Sequence, residues 1–219
     1  MEKFNKYGVY YFVDSQKKKV PVENYINQLP QKDKAKVFRY INFLQEQKGA
    51  PGEPYTRHII DKIRELRVDF GRNRHRIFYF TFIGKKIILL HAFLKKTQKT
   101  PIREKEVAQY NYRDFINNQT ITLKNMTKLT NYEKHFQKEM KNRGFRKAYE
   151  KEDQRLMIAY KIAQLRKEKR ISQVELAKKL GTTQSVVARM ERGNQNFTAD
   201  NLQKIAASFN RRLKVEFVK

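Results

Sequence analysis

The sequence contains no cysteine. Disulfides and thiolate metal sites are therefore excluded. Histidine is scarce too, with four residues, none at the spacing that metal ligands require, so no metal and no other cofactor is expected. No apolar run approaches the roughly 20 residues of a membrane span. The first ten residues lack the apolar stretch of a signal peptide. The expected address is cytoplasmic, with no membrane partner. Negative charge is the last scarcity: 22 Asp and Glu stand against 49 Lys and Arg, a formal net charge of +27. The excess is not a local tail, because residues 1–125 carry 26 basic against 12 acidic side chains and residues 126–219 carry 23 against 10. Both halves suit a polyanionic partner, and nucleic acid fits better than a membrane surface because no strongly amphipathic terminal helix is present.

What is present is a globular pattern, 39% hydrophobic and 32% charged, long enough for two small domains. An aromatic and β-branched run at 7–13 reads as a strand. Pro21 opens a short helix over 22–29, and Pro30 a longer one over 31–48 with Val37, Ile41 and Leu44 at helical spacing. After Gly49–Gly52, three strands are expected at 63–70, 75–82 and 86–93, joined by hairpin turns. A helix follows from Pro101 to about Asn117. Residues 118–130 are polar, rich in Thr and Asn, and read as a linker. Beyond it lie a charged stretch at 132–149 interrupted at Gly144, a long helix at 152–169, and short helices near 172–180, 183–192 and 198–209. The alternation of Leu213, Val215 and Phe217 predicts a strand at 212–218. The fold class is α+β: a small antiparallel sheet with helices over 1–117, then an all-α region over 131–219 with its core at 152–210.

The run Ser172–Gly193 meets the positional demands of a helix-turn-helix. Ala177 is small where two helices cross, and Gly181 supplies the left-handed turn. Val187 and Met190 pin the second helix. Ser172 with Glu175 forms a capping box, and Thr182 or Thr183 caps the next helix. Over roughly 154–209 the chain resembles phage-repressor-like helix-turn-helix proteins. That resemblance places Gln184, Ser185 and Arg189 at base edges of operator DNA and Gln173 on a phosphate, with Thr183 also in the DNA-binding set. It implies a homodimer on a palindromic site, formed through this half.

A second signature lies upstream: Arg64-Glu-Leu-Arg67, Arg74-His-Arg-Ile-Phe-Tyr79, and His91-Ala-Phe-Leu-Lys-Lys-Thr-Gln-Lys-Thr-Pro101. These pieces, over about 7–116, resemble the RelE/ParE toxin superfamily in its HigB branch. The second half resembles the antitoxin of that branch, in the same order. The pair implies a toxin–antitoxin module in one chain. Its toxin would be a ribosome-dependent, metal-independent mRNA endonuclease, and its antitoxin would contact it within or between chains and repress its own operon. The alternative is a non-enzymatic DNA-binding regulator whose first domain is degenerate or inhibits a topoisomerase, as the ParE branch does.

Metal-free RNA cleavage needs cations for a dianionic phosphorane and a proton carrier. Arg67, Arg76 and Lys95 are the expected phosphate and transition-state contacts, with His91 as proton carrier. Arg74, Lys96 and His58 are expected on RNA, with Phe93 or Tyr79 stacking a base. Each has a plainer reading: His91 as a hydrogen-bonded structural residue, Arg64 and Arg67 paired with Glu65 and Asp69, Tyr79 in the core. Met126-Thr-Lys-Leu-Thr-Asn131 reads like the start of a second protein, which leaves a natural and an engineered junction both open. The stretch 132–151 reads either as part of a toxin-covering surface or as a solvated helix; because it is basic, covering would act by steric blocking or remote docking rather than by mimicking RNA.

Overall fold

The computed structural model describes residues 7–124 and 130–216, with backbone alone at 119–124. Met126 and the end of the 212–218 segment lie outside the described residues. The chain divides into two compact units after Glu150.

In the first unit, β1 (Gly8–Tyr11) precedes α1 (Pro21–Asn27) and α2 (Gln31–Glu46). Then come β2 (Thr56–Ile60), β3 (Ile63–Phe70), β4 (Asn73–Phe82), β5 (Lys86–Leu94), α3 (Ile102–Lys124), α4 (Asn131–Met140) and the start of α5 (Arg143–Glu168). The sheet order is β1-β5-β4-β3-β2. β2 to β5 are antiparallel neighbours, whereas β1 lies parallel to β5. The expected α+β class holds, but the sheet is mixed rather than antiparallel. The α1–α2 pair carries the chain away after β1, so that strand finds its partner only when β5 returns beside it.

Three further differences have physical reasons. β2 was expected as loop because 56–60 has no apolar alternation; it is an exposed edge strand with a bulge between His58 and Ile60. Helix α3 runs on to Lys124, through the first part of the expected linker. Thr120, Ile121 and Thr122 each lower helix propensity by only some tenths of a kcal/mol, too little to stop a helix already nucleated. Residues 211–216 form no strand, because the second unit offers no described strand for them to pair with, and Val215 stays exposed.

The sheet buries both faces. Phe78, Phe80, Ile88 and Leu90 pack with Ala108 and Phe115 of α3. On the opposite face Ile77 and Tyr79 are buried, with the Tyr79 hydroxyl donating to Gly49 O at 2.9 Å. There His75 is fixed between Tyr25 of α1 (2.7 Å) and Asp33 of α2 (2.9 Å), and burial lowers its pKa.

Residues 131–149, expected to belong to the second domain, pack into the first unit. Thr130 and Glu133 form a capping box at the start of α4. The Asn131 side chain accepts from Tyr11 N (2.9 Å) and donates to Tyr11 O (3.0 Å), closing the outer edge of β1 as a neighbouring strand would. Tyr132 is 1% exposed; its ring meets Tyr11 and Phe38, and its hydroxyl donates to Asn42 Oδ1 at 2.6 Å. His135 sits 3.0 Å from the Tyr11 hydroxyl, and Lys34 pairs with Glu139 at 3.1 Å. Removing a buried aromatic ring costs about 3–5 kcal/mol. Tyr132→Ala should therefore lower the stability of the first unit by about that amount in urea unfolding followed by circular dichroism. An unchanged midpoint would mean that α4 does not hold to the sheet in solution.

Candidate functional sites

Strand register gathers most of the expected toxin residues on the sheet face that α3 partly covers. Arg67, Arg76 and Phe93 form one row across β3, β4 and β5. The row beneath holds Glu65, Phe78 and His91, with Arg57 of β2 opposite Glu65. The row above pairs Asp69 with Arg74, and Lys95 N donates to Arg74 O at 2.9 Å. Alternation puts all of these on one face.

The arginines are not bare. Arg67 pairs with Glu65 (3.1 Å) and Glu53 (3.0 Å); Arg76 pairs with Asp69 (2.7 Å) and lies 3.9 Å from Glu65. Glu65 is 1% exposed and also accepts from the Thr100 hydroxyl at 3.3 Å, tying the loop after β5 to the row. The pairing of Arg67 with Glu65 was legible as a possibility; the roles of Glu53 and Thr100 were not, because both come from loops. Burial lowers the pKa of Lys95, as do Arg76, Arg67 and Arg74, while Glu65 opposes them.

The other expected residues divide. His91 Nε2 is hydrogen-bonded to Glu104 at the start of α3, and its ring stacks beside Phe93 at 5.9 Å. Arg74 and Lys96 are exposed. Of the two base-stacking candidates, Tyr79 faces the opposite side and is core; Phe93 shares the arginine face but is buried in the core cluster with Phe78, so neither presents a free ring. His58 is exposed on β2, its Nε2 2.7 Å from Asp61 O, outside the arginine row. It lines, with Lys95 and residues 97–101, a cleft of about 680 Å³ between β2 and the β5–α3 loop.

In the second unit, α6 (Gln173–Leu180), α7 (Gln184–Glu191) and α8 (Ala199–Ser208) pack with Ile162 of α5 around Leu176, Ala177, Val187, Met190, Ile205 and Phe209. Ser172 and Glu175 form the expected capping box, and Thr183 caps α7. Gly181 has φ +62°, and Thr182 N then reaches Ala177 O at 2.9 Å. A side chain there would strain the backbone. Glu191, 0% exposed, binds Arg166 Nη2 at 3.0 Å and accepts from Gln173 Nε2 at 2.8 Å. Gln173 Oε1 in turn accepts from Gln184 Nε2 at 2.8 Å. A buried charge thus orients the two glutamines; sequence reading missed it because Arg166 and Glu191 are 25 residues apart. Thr183 and Ser185 hydroxyls are 2.9 Å apart, and Gln184, Ser185 and Arg189 are exposed on α7.

Comparison with known families matches residues 24–113 to phage derived protein Gp49-like (DUF891) and residues 162–215 to helix-turn-helix. No curated protein matches the chain. No helix among the described residues is long and apolar enough to cross a membrane.

The Lys95 environment generates a test. Glu65 is the carboxylate that holds the Lys95 pKa up against burial and three arginines. Glu65→Gln keeps the shape and removes the charge, so the Lys95 titration midpoint, read from its side-chain carbon resonances, should fall further below the ordinary lysine range. A midpoint that stays or rises would show that Glu65 does not act on this amine.

Proposed function

Because the chain carries a Gp49-like domain of the RelE/HigB toxin type followed by a helix-turn-helix domain, we propose that it is a toxin–antitoxin module in one polypeptide. Its first domain is a ribosome-dependent mRNA endonuclease, held inactive in the full chain. Its second represses its own operon as a dimer on palindromic DNA. The observation that supports the nuclease most directly is the row Arg67–Arg76–Phe93 with Lys95 beside it, on one sheet face.

In-line cleavage joins the 2′-oxygen to phosphorus and breaks the bond to the 5′-oxygen. The 2′-hydroxyl loses a proton, the leaving oxygen gains one, and a cyclic phosphate results. Arg67 and Arg76 meet the phosphorane charge, exchanging their carboxylate partners for it. Lys95, its pKa lowered by burial and the neighbouring arginines, is the group placed to exchange a proton with the reacting oxygens. Arg74 and Lys96 hold flanking phosphates, and His58 borders the RNA path. The anchored His91–Glu104 pair makes His91 the second proton carrier and Lys95 the better placed one.

Residues 131–149 dock on β1 and α2, away from the arginine face. Remote docking, rather than plugging of the site, is then the way this segment restrains the toxin. In the second domain, Gln184, Ser185 and Arg189 read bases, while Gln173 and Thr183 meet the backbone. The saturation of Arg67 and Arg76 by Glu53, Glu65 and Asp69 is what favours the other reading, a first domain without catalysis in a DNA-binding regulator.

Expression of residues 1–124 should arrest growth and cleave mRNA in a translating extract, where the full chain does not. Arg76→Ala should reduce cleavage on the order of 10²-fold without loss of the fold. Full activity in that variant, or harmlessness of the fragment at equal folded yield, would favour the regulator. For DNA, Arg189→Ala should cost about 1–3 kcal/mol on the preferred base and relax preference there. Gln173→Ala should weaken all sequences alike. An identical selected consensus for wild type, Gln184→Ala and Arg189→Ala would remove α7 from sequence reading.

A further inference from the structure

The cleft beside the arginine row has a chemistry of its own. Four cationic side chains, Arg57, Lys95, Lys99 and Lys105, line it, and among the described residues no carboxylate does. Arg67 and Arg76 next door are paired; Arg57, Lys99 and Lys105 enter no ion pair with a described carboxylate. Positive charge left uncompensated around a concavity attracts an anion.

The rest of its wall is mixed, with His58, Thr97, Gln98 and Thr100 beside an apolar part formed by Ile59, Pro101 and Ile102. Ile102 is 73% exposed at the first position of α3, and Ile59 is half-buried at the bulge of β2. An isoleucine so open at a helix start adds nothing to the core. A simple anion would not use this wall, whereas a nucleotide presents a phosphate to the cations and a base face to the isoleucines. About 680 Å³ is room for one nucleotide. Lys95 belongs both to the cleft and to the arginine face, so the two are continuous. The segment 131–149 sits at β1, the opposite edge of the sheet from β2, and leaves the cleft open.

We propose that this cleft binds the nucleotide adjoining the scissile phosphate of single-stranded RNA. Lys99 and Lys105 meet its phosphate, with Arg57 opposite, and Ile59 and Ile102 hold its base. The proposal rests on the reading of the first domain as a ribonuclease and names a subsite for it.

The probe is an uncleavable 2′-O-methyl hexaribonucleotide carrying one 4-thiouridine. It is mixed with the full chain and an excess of duplex DNA that occupies the helix-turn-helix. Photo-crosslinks should map to the peptides containing Ile59 or Ile102. The Lys99→Ala/Lys105→Ala variant should bind about tenfold more weakly at fixed salt, with a shallower salt dependence. Ile102→Ser should weaken binding and flatten base preference while leaving the salt dependence alone. Crosslinks confined to other peptides, or wild-type affinity in the double lysine variant, would overturn the subsite. If cleavage depends on Arg76 yet the double lysine variant binds normally, the subsite fails and the nuclease stands. If crosslinks fall in the cleft but no fragment cleaves RNA in a translating extract, the cleft stands as an RNA site and the nuclease fails.

Discussion

Cations crowded on one sheet face repel each other, and Arg67, Arg76 and Lys95 stand together only because a carboxylate is buried among them. Glu65 lies under the row, within ion-pair reach of both guanidiniums, and takes a hydrogen bond from Thr100 on the loop that carries Lys95 toward α3. A buried charge is costly alone and tolerable when surrounded by partners. The same group fixes the arginine directions, restrains the loop and sets the electrostatic poise of the lysine. Glu53 and Asp69 complete the neutralisation from either side. Within the fold the charge of both guanidiniums is thus met by carboxylates.

The second unit uses the same device. Arg166 and Gln173 converge on Glu191 beneath α7, and Gln173 passes the constraint to Gln184 at the surface. In both units, then, an interior carboxylate determines where polar side chains stand on the outside.

Legibility in the sequence followed the range of the interactions. The helix-turn-helix could be read residue by residue, because caps, the left-handed Gly181 and the Val187–Met190 spacing are all local. β3, β4 and β5 were legible from runs of β-branched and aromatic residues, and their alternation put Arg74 and Arg76 on one face. The edge strand β2 was not, since its pattern is set by a bulge and by pairing with β3. Nor was the home of residues 131–149, which depends on Tyr132 finding Phe38 and Asn42 some 90 residues away. Arg67 and Arg76 were legible as candidates; their saturation by Glu53 and Asp69 required the folded register and a loop.

The amide of Asn131 satisfies both outward backbone groups of Tyr11, the last residue of an edge strand. Such an edge is an invitation to foreign strands. By meeting the donor and the acceptor with one side chain, the following segment ends the ladder without extending it. Without that segment the two outward groups of Tyr11 lose this partner and face water. The side chain that anchors the covering helix thus also closes the β1 edge of the sheet at its last residue.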